Sequence, residues 1–209
     1  MRNPYAKAVI FDLGRVLVSY SPEPIILALT EISQADGETI KNILLALTDQ
    51  LNLGKIDASA FHQHMIRHAG TTSDGTLFQA AACAGLAPIP AGLKFLRELR
   101  KRHPPLLVGV ISNTNQVHAR WLYANLPELA TLDSVILSPE VGLAKPDPAI
   151  FHLSVQQLDI QPNQGIFLDD LPENITAARQ LGMLGIVHES WPSSRRAIEG
   201  WMQQHVAPP

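Results

Sequence analysis

The chain has 209 residues, of which 46% are hydrophobic and 17% charged, with a formal net charge of −3. That length suits one large domain, or one domain with a small insert, and buries a substantial core, so the composition excludes a disordered chain. The slight acidity offers no field for nucleic acid or an anionic membrane surface, and no run of about 18 apolar residues is present to span a bilayer.

The N-terminus, Met1-Arg2-Asn3-Pro4, runs straight into a strand-like segment without the apolar region and cleavage site of a signal peptide. The single cysteine, Cys83, lies among alanines and reads as a small buried hydrophobe. A cytoplasmic location is therefore expected. The first apolar run, Ala6–Phe11, predicts a buried parallel strand. After it, helical spacing of apolar residues covers Glu23–Ser33, Gly37–Thr48, Asp57–Ala69 and Asp74–Ala82, with no convincing strand before Ala91. Gly54-Lys55-Ile56-Asp57 predicts a turn into an Asp-capped helix, and Ala87-Pro88-Ile89-Pro90 a return linker. His62, His64 and His68 crowd one of these helices; with no acid between them and no cysteine near, exposed or capping histidines are expected, not a metal site.

From Ala91 onward strands and helices alternate. Helix Ala91–Arg102 carries Leu93, Leu96 and Leu99 on one face, and its basic end, Arg97 to His103, complements the helix dipole. Strand Leu106–Ile111 is followed by helix Gln116–Ala124, and strand Ser134–Leu137 by helix Pro148–Leu158, which Asp147 caps. Strand Gly165–Leu168 precedes helix Pro172–Leu181, stopped at Gly182; strand Leu184–Val187 precedes a last helix capped by Ser193 or Ser194 and reaching about His205. Trp121, Trp191 and Trp201 are expected to pack into the core or surface grooves. The pattern predicts an α/β fold: a Rossmann-like, doubly wound, parallel five-stranded sheet. A helical cap of residues 17–88 is expected to interrupt a core domain of residues 1–16 and 89–209.

In open α/β sheets ligands bind beyond the carboxyl ends of the strands. Strand one ends in Phe11-Asp12-Leu13-Gly14-Arg15, strand two in Ser112-Asn113-Thr114-Asn115, and strand four in Asp169-Asp170, with Asn174 a turn later. Lys145 follows strand three. Asp12 alone reads as readily as a strand-end turn residue. Adjacent Asp169 and Asp170, however, repel unless a cation relieves them, and acids converging with a hydroxyl and a lysine suit Mg²⁺ and phosphate.

The order and wording of these motifs resemble the haloacid dehalogenase-like superfamily: AVIFDLGRVL for its first motif, VISNTN for the second, VGLAKPDPAIF for the third and FLDDLPENITAARQLG for the fourth. The chain is most similar to the branch holding bacterial glucose-1-phosphatase-like proteins and the phosphatase domain of soluble epoxide hydrolases, and GKIDASAF resembles that branch's helical cap. The resemblance implies that Asp12 attacks phosphorus to form an aspartyl-phosphate. It implies that Mg²⁺ is held by Asp12, the Gly14 carbonyl and Asp170, with Asp169 and Asn174 completing or orienting that shell. Ser112 and the backbone at Asn113 would bind phosphoryl oxygens, and Lys145 would neutralise charge on the phosphoryl group and Asp12. The implied activity is a Mg²⁺-dependent phosphohydrolase of a small phosphorylated metabolite, such as a sugar phosphate. Oligomeric state stays open between monomer and homodimer.

One part of the usual set is missing. Most phosphatases of the superfamily carry a second Asp two residues after the nucleophile, where this chain has Gly14. The metal ligand from that position is the backbone carbonyl, so metal binding survives, but general acid–base help of about 10²–10⁴-fold does not. A leaving group of low pKa, a water or a cap side chain such as a histidine would compensate; Arg15 is too basic to donate a proton. The alternative is a catalytically feeble member that binds a phosphorylated ligand or partner. Dehalogenases of the superfamily have an aromatic residue at the Gly14 position and lack the acidic pair, so Asp169-Asp170 disfavours dehalogenation.

Overall fold

The computed structural model describes residues 7–205. Ala6, the first residue of the first expected strand, and the Met1–Pro4 segment lie outside the described residues. Strand β1 (Ala8–Phe11) leads through a tight turn into β2 (Val18–Tyr20). Helices α1 (Pro22–Glu31), α2 (Gly37–Asn52), α3 (Ala58–Ala69) and α4 (Gly75–Ala82) follow, and β3 (Leu86–Pro88) returns the chain. Then come α5 (Pro90–Arg102), β4 (Leu107–Ser112), α6 (Gln116–Asn125), β5 (Ser134–Leu137), α7 (Ser138–Val141) and α8 (Pro148–Gln157). Finally β6 (Gly165–Asp169), α9 (Pro172–Gln180), β7 (Leu184–Val187) and α10 (Trp191–His205) close the fold.

Five strands form one parallel sheet in the order β5-β4-β1-β6-β7. This is the doubly wound, Rossmann-like α/β architecture that the alternation predicts. Helices cover both faces, so every residue of β1 is buried and alternate residues serve opposite layers. Val9 and Phe11 pack with Leu93, Leu96, Ile198 and Trp201 of α5 and α10, whereas Ala8 and Ile10 pack with Ile150, Phe151 and Ile175 of α8 and α9. Helices α1 to α4 bury a third cluster of their own around Leu29, Ile40, Phe61, Met65 and Phe78, which Val117 of α6 joins. Cys83 lies in that cluster, where burial pushes its thiol up to about 12, in keeping with a packing role.

Two capping signals act as read. Asp147 accepts from Ala149 N–H, and Asp57 from Ala60 N–H. Asp74 stands outside its helix as the cap, accepting from Thr76 and Leu77 N–H. Three readings need correction. The stretch without an expected strand contains β2 and β3, which pair antiparallel, Val18 opposite Pro88 and Tyr20 opposite Leu86; the supposed linker is thus one rung of a ribbon. Three-residue strands show too little alternation to be read, and Pro88 is tolerated because the ribbon is all edge. The last helix starts at Trp191, ahead of both candidate caps. Pro192 suits a first turn, and Ser194 Oγ is 2.8 Å from His188 Nδ1 instead of capping the helix. The short helix α7 has no counterpart in the expected elements.

Candidate active site

Sheet register alone brings the first residues together. Phe11 pairs with Val110 on one side and Leu168 on the other, so Asp12, Ser112 and Asp169 all emerge at the carboxyl edge of three adjacent strands. The Asp12 N–H still bonds to the Leu168 carbonyl, at 2.8 Å, which fixes the start of the loop that follows. That loop turns sharply: Leu17 and Val18 N–H both donate to the Leu13 carbonyl, and Arg15 adopts a left-handed backbone with φ 58°.

Lys145 enters from the loop after α7. Its Nζ donates to Asp12 Oδ1 and to Asp169 Oδ2, each at 2.6 Å, and all three side chains are almost wholly buried. Desolvation by burial dominates at Asp12; the Lys145 ammonium opposes it and the Asp169 charge adds to it, and the carboxyl is raised to about 6. Burial alone would lower the Lys145 ammonium, but two carboxylates in contact outweigh it and hold it above its ordinary value. Asp169 is tied down further by Leu171 N–H and by the Asn174 amide, which donates to both its oxygens at 3.0 Å. Asn174 therefore acts on Asp169, as an orienting residue. Asp170 is less buried, and Arg15 Nη1 reaches its Oδ2 at 3.4 Å.

Carboxylate oxygens of Asp12, Asp169 and Asp170 lie within 4.8 Å of one another. Among the described residues this is the one group of three acids, histidines or cysteines so arranged. Three hard oxygen donors with one lysine between them fit a divalent cation that prefers oxygen. The rings of His64 and His68 lie 4.2 Å apart on α3, tilted by 32°, and no such group includes them.

Asn113 has a task that its motif did not reveal. Its amide nitrogen donates to the Lys145 carbonyl and its oxygen accepts from the Lys145 N–H, both at 2.8 Å. The side chain is a two-point clamp on the backbone that carries the lysine. Ser138 plays a similar part beneath it, accepting from Thr114 N–H at 3.0 Å. Gly14 leaves open space toward Asp12: a Cβ built there would lie 3.7 Å from Asp12 Oδ2, an ordinary contact. A cavity of about 370 Å³ opens from these residues toward α1, α2 and α3, and Ser112, Asn113, Gly14 and Asn174 line it with the acids and Lys145. Sequence reading did not reach the distant wall of that cavity, because apolar residues facing a cavity carry the same periodicity as apolar residues facing a core.

A sequence model of the haloacid dehalogenase-like hydrolases matches residues 6–182. A sesquiterpene phosphatase from Aspergillus oryzae is 30% identical over 183 residues, covering 86% of this chain and 88% of the relative. A D-ribitol-5-phosphate phosphatase from Bacteroides thetaiotaomicron is 26% identical over 84% of this chain and 88% of its own length. In solved structures, a family enzyme from Bacteroides thetaiotaomicron in complex with magnesium and inorganic phosphate superposes with a TM-score of 0.79 at 25% identity, covering 90% of this chain and 98% of that one.

Proposed function

This chain belongs to the haloacid dehalogenase-like hydrolases, and from that premise we propose that it is a Mg²⁺-dependent phosphohydrolase of small phosphorylated molecules, with Asp12 as nucleophile. The observation that carries the proposal is the convergence of Asp12, Asp169 and Asp170 around a buried lysine at one sheet edge. Relatives that act on phosphorylated small molecules, one on a sesquiterpene and one on ribitol 5-phosphate by name, support the same reaction class. The helices of residues 17–88 form the cap in this reading, closing the far side of the cavity.

An Asp12 oxygen bonds to phosphorus while the bond to the leaving oxygen breaks, giving an aspartyl-phosphate. Lys145 holds the attacking carboxylate in place and neutralises charge that gathers on the phosphoryl oxygens. Ser112 and the backbone at Asn113 orient those oxygens. Water then attacks phosphorus, and the Asp12 carboxylate is released. Asp12, Asp170 and the Gly14 carbonyl would hold the Mg²⁺, which supplies positive charge to the phosphoryl group when bound. Asp169 and Asn174 keep that shell oriented.

Turnover of p-nitrophenyl phosphate tests the reading. It should require Mg²⁺, stop with chelator, and fall at least about a thousandfold in Asp12→Asn. Equal rates with metal and with chelator, or an active Asp12→Asn, would sink it. Gly14 favours a second reading, a catalytically weak protein that binds a phosphorylated ligand or partner; robust turnover of any member of a panel of sugar phosphates and nucleotides rejects it.

A further inference from the structure

The cavity that opens on Asp12 is strongly segregated. Its charged lining, Asp12, Arg15, Lys145, Asp169 and Asp170, belongs to the loops at the strand ends. The rest is built largely from Ile25 and Leu29 of α1, Leu44 and Leu51 of α2, Phe61 of α3 and Leu122 of α6. Polar side chains among them are already engaged. Thr48 Oγ1 donates to the Leu44 carbonyl at 2.9 Å. The His118 ring lies between the Ala82 carbonyl, 2.9 Å from Nε2, and the Asn115 amide, 3.1 Å from Nδ1. Burial keeps that ring below its ordinary histidine pKa, hence neutral, so Nε2–H donates to Ala82 and Nδ1 accepts from Asn115. Asn115 in turn accepts from the His118 N–H. Tyr20 and Asn52 add polar side chains on the side of helices α1 to α4, and Ser112, Asn113, Thr114 and Asn174 line the cavity at the strand ends. A polyol placed here would strand most of its hydroxyls without partners, which burial penalises.

Position 14 adds an independent constraint. It has no side chain to protonate a leaving oxygen, and the His118 ring, with both nitrogens engaged, cannot stand in for one. We propose that the substrate class is a phosphate monoester of a hydrophobic phenol or similarly acidic alcohol, an inference that rests on the phosphatase reading of the site. The phosphoryl group sits at the strand ends and the apolar group against α1, α2 and α3. In the first step an Asp12 oxygen bonds to phosphorus, and the phenol oxygen leaves with its electron pair as phenolate. In the second, water bonds to phosphorus, the bond to Asp12 breaks, and inorganic phosphate retains both water protons. Neither step needs a proton from position 14. The cavity of about 370 Å³ holds, at about 30 Å³ per water-sized group, roughly a dozen such groups, enough for a phosphoryl group, a ring and a short chain.

A series of 4-n-alkylphenyl phosphates isolates the wall from the chemistry, because the phenols have nearly equal acidity. With Mg²⁺ present, kcat/KM should rise up to about fourfold per methylene until the chain outgrows the cavity. It should exceed that of a phenyl phosphate carrying a polyhydroxylated chain of the same length by at least roughly a hundredfold. Isothermal calorimetry with n-alkylphosphonates, which bind without turnover, should show Kd falling with each methylene. Leu44→Gln, a half-buried helix position that tolerates a polar residue, should flatten both trends. Turnover that is indifferent to chain length, or a preference for the polyhydroxylated ester, overturns the substrate class and leaves the phosphatase reading standing. Affinity that climbs with chain length while no ester is hydrolysed overturns the phosphatase reading and keeps the apolar ligand. Flat phosphonate affinities overturn the apolar wall whatever the kinetics show.

Discussion

Asp12 shares Lys145 with Asp169, and the three are buried together, so its protonation and the proposed binding of Mg²⁺ there are linked. Its carboxyl, raised by burial to about 6, stands above the ordinary 3.8. A carboxyl whose folded-state pKa is raised stabilises the fold below its unfolded value, and that contribution is lost as pH rises through the folded value. Metal-free protein should therefore lose stability from Asp12 between pH 3.8 and about 6, a loss absent from Asp12→Asn. A cation needs the ionised carboxylate and competes with the proton, so the Tm gain on adding Mg²⁺ should be small at roughly pH 5 and larger at roughly pH 7.5. Scanning calorimetry with chelator and with Mg²⁺ checks both signs; a Mg²⁺ increment that shrinks as pH rises would contradict the linkage. Gly14 offers a second test at this scale. Its open space accepts a side chain beside Asp12 Oδ2. Gly14→Asp should raise turnover of simple alkyl phosphates by about a hundredfold or more and that of p-nitrophenyl phosphate much less. No gain for any substrate would mean that proton transfer is not what the site lacks.

At the scale of elements, the strand ends set the chemistry and the loops set its tolerance. Asp12, Asp169 and Asp170 were legible because a carboxylate after a buried apolar run has few purely structural uses when several recur at one sheet edge. Lys145 was legible through its ordered motif. The task of Asn113 was not: nothing local in Ser112-Asn113-Thr114 tells whether the amide faces a ligand or a distant backbone, and only the fold brings Lys145 beside it. Its two bonds hold the segment whose side chain bridges both acids. Asn113→Ala should cost about 1–2 kcal/mol, since a net hydrogen bond contributes about 1 kcal/mol, and lower Tm by roughly 2–8 °C. It should also reduce kcat more than it raises KM, because Lys145 would lose its register on Asp12 while the apolar wall stays intact. Steady-state kinetics beside calorimetry separate the two effects, and an unchanged kcat would confine Asn113 to stability.

The places where helices α1 to α4 join the rest of the molecule were the least legible features of the chain. The ribbon of β2 and β3 carries both crossings of the backbone, yet each strand is too short for a period to show. Helix α6 touches α4 through the bond between His118 and the Ala82 carbonyl. Another such place is the turn after α2, where Gly54 lies against α7. Its φ of 67° is left-handed, and a Cβ built there would come within 2.3 Å of the Pro139 carbonyl oxygen. Backbone meets backbone at that point, so neither side has a flexible atom to yield. Gly54→Ala should therefore push the turn away from α7 as well as strain it, costing about 1–3 kcal/mol. Because α2 also supplies Leu44 and Leu51 to the cavity wall, the shift should reach ligand binding without touching Asp12 or Lys145. The expected signature is a Tm lower by roughly 2–12 °C and a raised KM, with Mg²⁺ affinity unchanged because the carboxylates sit on the sheet. A variant with normal KM and reduced Mg²⁺ affinity would show instead that this turn communicates with the strand ends, not with the wall.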